Sequence, residues 1–433
     1  MGDLKLQPTK LEGSVKIPPS KSMAHRAVIC AALGNGLSKL TNIDYSDDII
    51  ATIDAMSSIG AKITKKEDYL EVYGVKSLEN KNCGINKERI IDCNESGSTL
   101  RFLVPIASLF EGVNRFVGRG NLGKRPLETY YNIFDEQGIK YTYKEGILDL
   151  KTEGKLKPGE FKLKGNISSQ FITGLLFTLP LLEGDSKIII TTEMESKGYI
   201  DLTLSAIKDF GVEIINNNYE EFIIKGNQTY KSKDYRVEGD YSQAAFFLSA
   251  DALLNNVVVN DLKLDSLQGD KEVIDILDRI GMKLESKDSG FVGKIDGSLK
   301  GTIIDGSQCP DIIPVISLVA ALSEGTTEII NAGRLRIKEC DRLSAVTTEL
   351  NKLGAKITEK EDGLIIEGVK KLKGDAEVWS HKDHRIAMTL AIAATVCDSP
   401  IILKDYECVS KSYPEFWKDY KSIGGIFNEW NLG

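Results

Sequence analysis

The sequence is poor in histidine, has no paired cysteine motif and carries no excess of basic residues. Its 433 residues include three histidines and seven cysteines, and no two of the cysteines form a CxxC motif. The odd number and the scatter of the cysteines favour reduced thiols over a disulfide framework or a zinc site. The net charge is −8 at pH 7, so no global positive field recruits nucleic acid or an anionic membrane.

Long apolar runs are also missing. No apolar run reaches the roughly 18 residues that a membrane-spanning helix needs. The best candidate, residues 171–182, contains Pro180 and predicts a buried helix. The first residues lack a basic and then apolar signal pattern, and they predict an edge strand or a loop. We therefore expect a cytoplasmic protein that binds neither membrane nor nucleic acid.

An internal repeat is the clearest pattern that is present. An amphipathic helix, a glycine and an alternating strand recur six times, as in IDAMSSIGAKI and VTTELNKLGAKI. Glycine suits the left-handed backbone conformation that ends a helix. The six glycines, 70 to 78 residues apart, are Gly60, Gly138, Gly211, Gly281, Gly354 and Gly424.

A second motif, a polar cluster followed by an apolar helix, recurs between those copies. PPSKSMAHRAVICAAL and GNISSQFITGLLFTLPLL are two of its copies. One repeat of about 72 residues is too small to bury its own faces, so six repeats predict two domains of three repeats each. The expected domains are residues 20–239, and residues 1–19 together with 240–433.

The polar starts of the apolar helices indicate anion binding. Unpaired N–H groups and the positive end of the helix dipole favour anions at a helix N-terminus. In PPSKSMAHR, Lys21, Ser22 and Arg26 would share one phosphate-sized patch. ISSQF supplies more polar groups than a single helix cap needs. They are Ser168, Ser169 and Gln170.

Two charged segments further along the chain have less specific signals. GRLRIKECDRL concentrates cations around Glu339, although such strings are usually solvated helix faces. KDHRIAM opens a buried helix with His384 and Arg385. A metal site at His381 and His384 is not favoured, because no other cluster of ligands accompanies them.

The segment VGRGNLGKRPLE contains two incomplete nucleotide-binding motifs. Its glycines match GxGxxG, but the P-loop is broken because Arg125 stands at the Ser/Thr position and Pro126 follows it. The next helix belongs to the internal repeat and not to a dinucleotide-binding βαβ unit. We expect a flexible glycine-rich loop that brings Arg125 to an anion.

Nine ordered segments along the whole chain together resemble the EPSP synthase family of enolpyruvyl transferases. They are PPSKSMAHR, SGSTLRFL, GKRP, SSQF, SKGYIDLTL, PDIIP, KECDRL, DHRIAM and SKSYPEF. The resemblance implies an α/β (α+β) fold of two lobes, each with three βαβαββ repeats, and an active site in the interlobe cleft. It implies transfer of the enolpyruvyl group of phosphoenolpyruvate to the 5-hydroxyl of 3-phosphoshikimate, in the shikimate pathway to chorismate and aromatic amino acids.

The resemblance also implies site residues. For 3-phosphoshikimate they are Lys21, Ser22, Arg26, Ser168, Ser169, Gln170, Ser196, Tyr199, Asp311 and Lys338. For phosphoenolpyruvate they are Lys21, Gly97, Arg125, Gln170, Arg342, Arg385 and Lys411. Arg334 occupies a substrate-contacting position whose role stays open.

The resemblance further implies catalytic roles. Asp311 is expected to take the proton of the 5-hydroxyl and Glu339 to protonate the methylene carbon, with Lys21 as a third catalytic residue. Which of the two carboxylates handles which proton stays open, because coupled groups can exchange roles. No metal or organic cofactor is expected, and the family fold is complete as a monomer.

Two alternatives stay open at this point. The related enzyme that enolpyruvylates UDP-N-acetylglucosamine usually has a cysteine in the loop corresponding to GRGNLGKRP, and no cysteine lies between Cys93 and Cys309. A non-catalytic phosphometabolite-binding protein on the same scaffold would be expected to lose Asp311 or Glu339. The resemblance also implies a glyphosate target, and the small Gly97 suggests sensitivity.

Overall fold

The computed structural model describes residues 2–75 and 88–430. Cys83, which was expected to be a reduced thiol, lies outside the described residues. In these ranges both motifs of the internal repeat form helices, and the apolar helices alternate with the amphipathic ones. The helices are α1 (Lys21–Leu33), α2 (Asp47–Ile59), α3 (Gly97–Ala107), α4 (Glu128–Gln137), α5 (Ser169–Thr178), α6 (Lys197–Asp209), α7 (Tyr241–Ala252), α8 (Glu272–Ile280), α9 (Ile313–Ala321), α10 (Arg342–Lys352), α11 (His384–Ala394) and α12 (Phe416–Ser422).

The strands are short, and many alternate buried and exposed residues as half-buried strands do. They are β1 (Asp3–Leu6), β2 (Glu12–Lys16), β3 (Leu37–Thr41), β4 (Lys62–Lys65), β5 (Tyr69–Tyr73), β6 (Arg89–Asp92), β7 (Val113–Val117), β8 (Lys140–Thr142), β9 (Asp149–Glu153), β10 (Glu160–Leu163), β11 (Ser186–Ile190), β12 (Ile214–Asn217), β13 (Glu221–Ile224), β14 (Tyr235–Arg236), β15 (Asn256–Asn260), β16 (Met282–Lys287), β17 (Gly290–Ile295), β18 (Ile303–Asp305), β19 (Thr326–Ile330), β20 (Lys356–Lys360), β21 (Gly363–Glu367), β22 (Ala376–Trp379), β23 (Ile401–Lys404) and β24 (Phe427–Trp430).

Over the described ranges these strands form six four-stranded sheets of one design. In each sheet one outer strand is parallel to its neighbour, and each of the other two strands is antiparallel to the strand before it in the sheet. The sheet β6-β7-β9-β8 shows the pattern, since β6 is parallel to β7 while β9 is antiparallel to both β7 and β8. The expected six βαβαββ repeats are confirmed.

Three sheets are completed by strands from distant parts of the chain. β14 pairs in parallel with β3, and β2 pairs in parallel with β15. β1 lies inside its sheet, antiparallel to both β23 and β24. The prediction of an edge strand or loop at the chain start is therefore wrong for β1. The local sequence shows that the apolar Leu4 and Leu6, both buried, alternate with polar residues. It cannot reveal that the partner strands lie roughly 400 residues away.

The chain divides into two compact units. One is Pro19–Val237, and the other is Met1–Pro18 together with Glu238–Gly433. Each unit contains three of the apolar helices, which form its core with the inner faces of its sheets. In the Pro19–Val237 unit, α5 packs closely on α3 because Gly174 has no side chain. A Cβ at Gly174 would lie 2.5 Å from the carbonyl oxygen of Arg101.

The six glycines of the repeat end their helices as predicted. Their φ angles run from 70° at Gly138 to 121° at Gly60. A side chain would be strained in this region, so glycine suits the reversal from helix to strand.

The apolar stretch at residues 171–182 is buried, as predicted. α5 ends at Thr178 and a short 3-10 helix, Leu179–Leu181, follows around Pro180. Among the residues that the structure describes, no helix is long and apolar enough to cross a membrane.

Candidate active site

The candidate residues lie in two groups, one on each compact unit. The Lys21 group lies at or near the starts of α1, α3, α5 and α6 and just before α4. Its members are Lys21, Ser22, Arg26, Gly97, Arg125, Ser168, Ser169, Gln170, Ser196 and Tyr199. The Arg342 group lies around the starts of α9, α10 and α11. Its members are Asp311, Lys338, Glu339, Arg342 and Arg385.

The start of α1 holds a lysine and an arginine in fixed positions. The Ser20 hydroxyl caps the helix, and the Lys21 ammonium lies 3.0 Å from an Asp48 carboxylate oxygen. The buried Arg26 guanidinium donates to the Ser22 backbone carbonyl oxygen at 2.6 Å. It also donates to the Tyr199 carbonyl oxygen at 2.8 Å, which joins α1 to α6.

The start of α5 is tied to α3 through Gln170. The Ser168 hydroxyl caps α5 by accepting from the Gln170 amide nitrogen at 3.3 Å. The Gln170 side chain accepts from Arg101 at 2.8 Å and donates to the Ser98 hydroxyl at 2.9 Å. Ser168 is therefore the cap of α5. Gln170, one of the polar groups beyond what a cap needs, links the starts of α3 and α5.

Gly97 and Arg125 meet at the start of α3. A Cβ on Gly97 would overlap the Arg125 guanidinium, so glycine leaves room for that cation. Gly120–Lys124, within the stretch expected to be a glycine-rich loop, forms a short 3-10 helix directly before Arg125. Ser196, the residue before α6, has a left-handed backbone with φ of 55°.

Arg342 is the centre of the second group. Only 1% of its side chain is exposed, and it contacts three carboxylates. It donates to Asp311 at 2.8 Å, to Glu339 at 2.9 Å and to Asp383 at 2.8 Å. Burial alone would lower the pKa of Arg342, but these three carboxylates raise it well above its usual value.

Asp311 lies among three cations. The Lys338 ammonium donates to it at 3.1 Å, and the Arg385 guanidinium lies 3.6 Å from its other oxygen. Burial would raise the pKa of Asp311, but Lys338, Arg342 and Arg385 lower it well below the usual range. Asp311 is therefore a carboxylate at neutral pH.

The local sequence explains why Asp311 points toward cations. Five of the six apolar helices begin with a serine or aspartate side chain that caps them. At α9 the cap position holds Ile312, which makes no side-chain cap hydrogen bond. Asp311 stands one residue earlier, where its carboxylate binds Lys338 and Arg342.

Lys411 and Arg334 lie on short 3-10 helices. Lys411 is buried at the end of Tyr406–Lys411, a segment that packs against α11. Arg334 lies in Gly333–Ile337. The neighbouring Arg336 binds Asp341 and Glu359, which fits the solvated charge string that the sequence indicated.

Sequence reasoning missed two carboxylates, one beside each group. Asp383 is fully buried, caps α11 through the Arg385 amide nitrogen at 2.7 Å and binds Arg342. Asp48 is the ion-pair partner of Lys21. The signal that could have found Asp383 is its position just before the buried helix, where aspartate is a preferred cap. No comparable local signal pairs Asp48 with Lys21.

The two neighbouring histidines have separate environments. His381 pairs with Glu349 at 2.9 Å, and His384 is buried at the start of α11. Within residues 2–75 and 88–430, no group of three or more His, Cys, Asp or Glu residues could hold a metal ion.

Comparison with known proteins identifies the family. A family model described as EPSP synthase (3-phosphoshikimate 1-carboxyvinyltransferase) matches residues 6–420. A Clostridium beijerinckii protein named 3-phosphoshikimate 1-carboxyvinyltransferase is 82% identical, and a Clostridium botulinum protein of that name is 72% identical. Both matches cover 100% of this chain and of the relative.

A solved structure shows the same fold. EPSP synthase from Acinetobacter baumannii superposes with a TM-score of 0.81 at 24% identity and covers 100% of both chains. The fold expected from the resemblance is thus confirmed. From its sequence motifs, its six repeats and these matches, the chain belongs to the EPSP synthase (3-phosphoshikimate 1-carboxyvinyltransferase) family.

Proposed function

We propose that this chain transfers the enolpyruvyl group of phosphoenolpyruvate to the 5-hydroxyl of 3-phosphoshikimate, giving 5-enolpyruvylshikimate 3-phosphate and phosphate. This is the shikimate-pathway reaction that leads to chorismate and aromatic amino acids. The observation that carries the proposal is the Arg342 group. There Asp311 and Glu339 accept from one guanidinium, beside two further cations. This arrangement supplies two carboxylates for proton transfer and positive charge for anionic substrates.

The charge of the substrates explains the density of cations. Together they bring two phosphates and two carboxylates, whose repulsion in a low-dielectric site must be offset. Arginine forks bind such groups in a bidentate manner. For 3-phosphoshikimate we propose Lys21, Ser22, Arg26, Ser168, Ser169, Gln170, Ser196, Tyr199, Asp311 and Lys338. For phosphoenolpyruvate we propose Lys21, Gly97, Arg125, Gln170, Arg342, Arg385 and Lys411.

Proton transfer is assigned to the two carboxylates. Asp311 takes the proton of the 5-hydroxyl as that oxygen bonds to C2 of phosphoenolpyruvate, and Glu339 gives a proton to the methylene carbon. The tetrahedral product then loses phosphate as one methyl proton returns to the protein, which restores the double bond. Substrate anions compete for Lys338, Arg342 and Arg385, so their binding reduces the stabilisation that keeps the pKa of Asp311 low. Asp311 becomes a stronger base when the substrates are present.

Release of inorganic phosphate from phosphoenolpyruvate tests the proposed reaction. Shikimate 3-phosphate and UDP-N-acetylglucosamine serve as separate acceptors, and a reaction without acceptor is the blank. Release with shikimate 3-phosphate alone is the expected result. Release with the nucleotide sugar alone would overturn the acceptor assignment, and no release with either would favour a binding protein.

Gly97→Ala is expected to raise the KM for phosphoenolpyruvate by roughly tenfold, since its methyl group must displace the Arg125 guanidinium. A double-mutant cycle with Arg125→Lys measures whether the effect passes through Arg125. The alanine substitution should cost less in the Arg125→Lys background. Equal costs in both backgrounds would contradict the assignment of this contact.

Sensitivity to glyphosate stays a prediction for the same position. The small Gly97 supports it, because a larger residue would displace the Arg125 guanidinium. An inhibition constant measured in competition with phosphoenolpyruvate tests it, and a value far above the KM for phosphoenolpyruvate would contradict it.

We further propose that the protein acts as a monomer in the cytoplasm. The six described cysteines are free thiols, which suits a reducing compartment. Light scattering across a range of protein concentrations tests the monomer, and a mass twice that of one chain would contradict it.

A further inference from the structure

A buried carboxyl group next to the Arg342 group has no role in the proposed mechanism. Asp270 is 2% exposed and lies in the 3-10 helix Gly269–Lys271, directly before α8. The hydroxyl of Ser242, in the first turn of α7, donates to the Asp270 carboxyl. The carbonyl oxygen of Ser242 accepts from the Arg385 guanidinium at 3.0 Å. Ser242 therefore contacts both Asp270 and a cation that the proposed function assigns to phosphoenolpyruvate.

The segment that carries Asp270 is fastened to the start of α7. The Gln268 side chain donates to Glu238 at 2.7 Å and to the Gly239 carbonyl oxygen at 2.8 Å. It also accepts from the Tyr241 amide nitrogen at 3.0 Å. These contacts leave Asp270 little freedom to move away from Ser242.

The charged groups around Asp270 come from three other elements. Asp240 lies before α7, Asp311 before α9 and Arg385 on α11, and the buried Cys309 thiol also faces it. Burial raises the pKa of Asp270 to about 7, with further contributions from Asp311 and Asp240, against the lowering effect of Ser242 and Arg385. Near neutral pH, therefore, both forms of the carboxyl group are populated. A negative charge here would compete with substrate for Arg385.

We propose that Asp270 is a positioning residue for Arg385, which it holds in place through Ser242. When Asp270 is neutral, it does not compete with the substrate anion for the positive charge of Arg385. The inference rests on the proposed function, in which Arg385 binds phosphoenolpyruvate. Asp270 does not touch the reacting atoms. Its protonation controls how strongly the site attracts phosphoenolpyruvate.

The first test compares the pH dependence of KM for phosphoenolpyruvate in the wild type and Asp270→Asn. Asparagine is neutral at every pH and can still accept from Ser242. Between about pH 6 and about pH 8 the KM of the wild type should rise roughly threefold more than that of the variant. Titration of the substrate affects both proteins equally and cancels in the comparison. Parallel KM profiles, or a large loss of kcat with unchanged KM, would overturn the proposal.

The second test removes the Ser242 hydroxyl group, through which Asp270 holds the residue whose carbonyl oxygen binds Arg385. Ser242→Ala should raise the KM for phosphoenolpyruvate roughly three- to tenfold, the size of a lost buried hydrogen bond, with little change in kcat. Ser249→Ala is the matched control, because Ser249 is buried two turns further along α7. It should leave KM unchanged. Equal KM values for the wild type and both variants would contradict the role of Ser242.

A third measurement needs no substrate, so it separates this inference from the proposed function. The contribution of Asp270 to stability is fully present below the unfolded pKa of about 3.9, and it is lost as pH rises through about 7. The melting temperature of Asp270→Asn minus that of the wild type should therefore increase from about pH 5 to about pH 8. A difference in melting temperature that does not change with pH would contradict the claim that Asp270 is neutral in the folded protein at the lower pH values.

Asp251→Asn is the control for an effect of any buried carboxyl group. Asp251 lies on α7, and burial also raises its pKa to about 7, although backbone N–H groups bind it. Asp251→Asn should change the pH dependence of the melting temperature but leave the KM profile as in the wild type. The same change of KM profile in both variants would contradict a specific role for Asp270. An inactive wild type that shows the expected melting behaviour would count against the proposed function alone.

Discussion

Asp311→Asn is expected to lower kcat by roughly 10²- to 10⁴-fold, because the amide cannot accept the proton of the 5-hydroxyl. The amide oxygen of asparagine can still accept from Lys338 and Arg342, which both contact the same oxygen of Asp311. The KM values for both substrates should therefore change by no more than about threefold. Steady-state kinetics with shikimate 3-phosphate and phosphoenolpyruvate check this expectation.

Asp305→Asn is the matched control for this substitution. Asp305 is exposed at the end of β18, and its carboxylate accepts from Ser307 and Asn331. Its replacement should change kcat by no more than about twofold, as for most surface positions. A variant Asp311→Asn with the wild-type kcat would contradict the role of Asp311 as the base. Equal losses in both variants would point to a general effect of lost negative charge.

The sequence predicts repeated structure well and long-range pairing poorly. The six glycines and the apolar helices follow from local periodicity, which is set by residues within one or two turns. By contrast, β14 replaces a missing first strand beside β3, and β1 enters a sheet formed by the other end of the chain. These pairings depend on chain topology, and no local pattern encodes them.

The candidate site shows the same difference between local features, which the sequence predicts, and long-range contacts, which it does not. The cluster of cations in GRLRIKECDRL is visible in the sequence, but the string alone favours a solvated helix face. Arg336 fits that interpretation, whereas Arg342 is 1% exposed and binds three carboxylates. The difference arises from Asp311 and Asp383, which lie 31 and 41 residues away in the sequence. Burial of an arginine depends on such distant partners, since an unpaired buried charge is costly.

We propose that the second carboxylate of the Arg342 group, Glu339, acts on carbon rather than oxygen. Glu339 accepts from the Arg342 guanidinium at 2.9 Å, and 13% of its side chain is exposed. Arg342 thus contacts Asp311 with one nitrogen and Glu339 with another, which keeps the two carboxylates close but distinct. Addition adds a proton to the methylene carbon and elimination removes one from the resulting methyl group, so a single acid–base group beside that carbon can serve both steps.

Glu339→Gln is expected to lower kcat by roughly 10²- to 10⁴-fold, because the amide has no acidic proton to give to carbon. Its oxygen can still accept from Arg342, so substrate binding should be retained. In deuterium oxide, reversal of the wild-type addition step places deuterium in the methylene group of recovered phosphoenolpyruvate. The variant should lose this exchange together with turnover, whereas Glu359→Gln, which alters the exposed partner of Arg336, should keep both. Exchange at the wild-type rate in Glu339→Gln would assign the carbon proton to another group, with Asp311 as the next candidate.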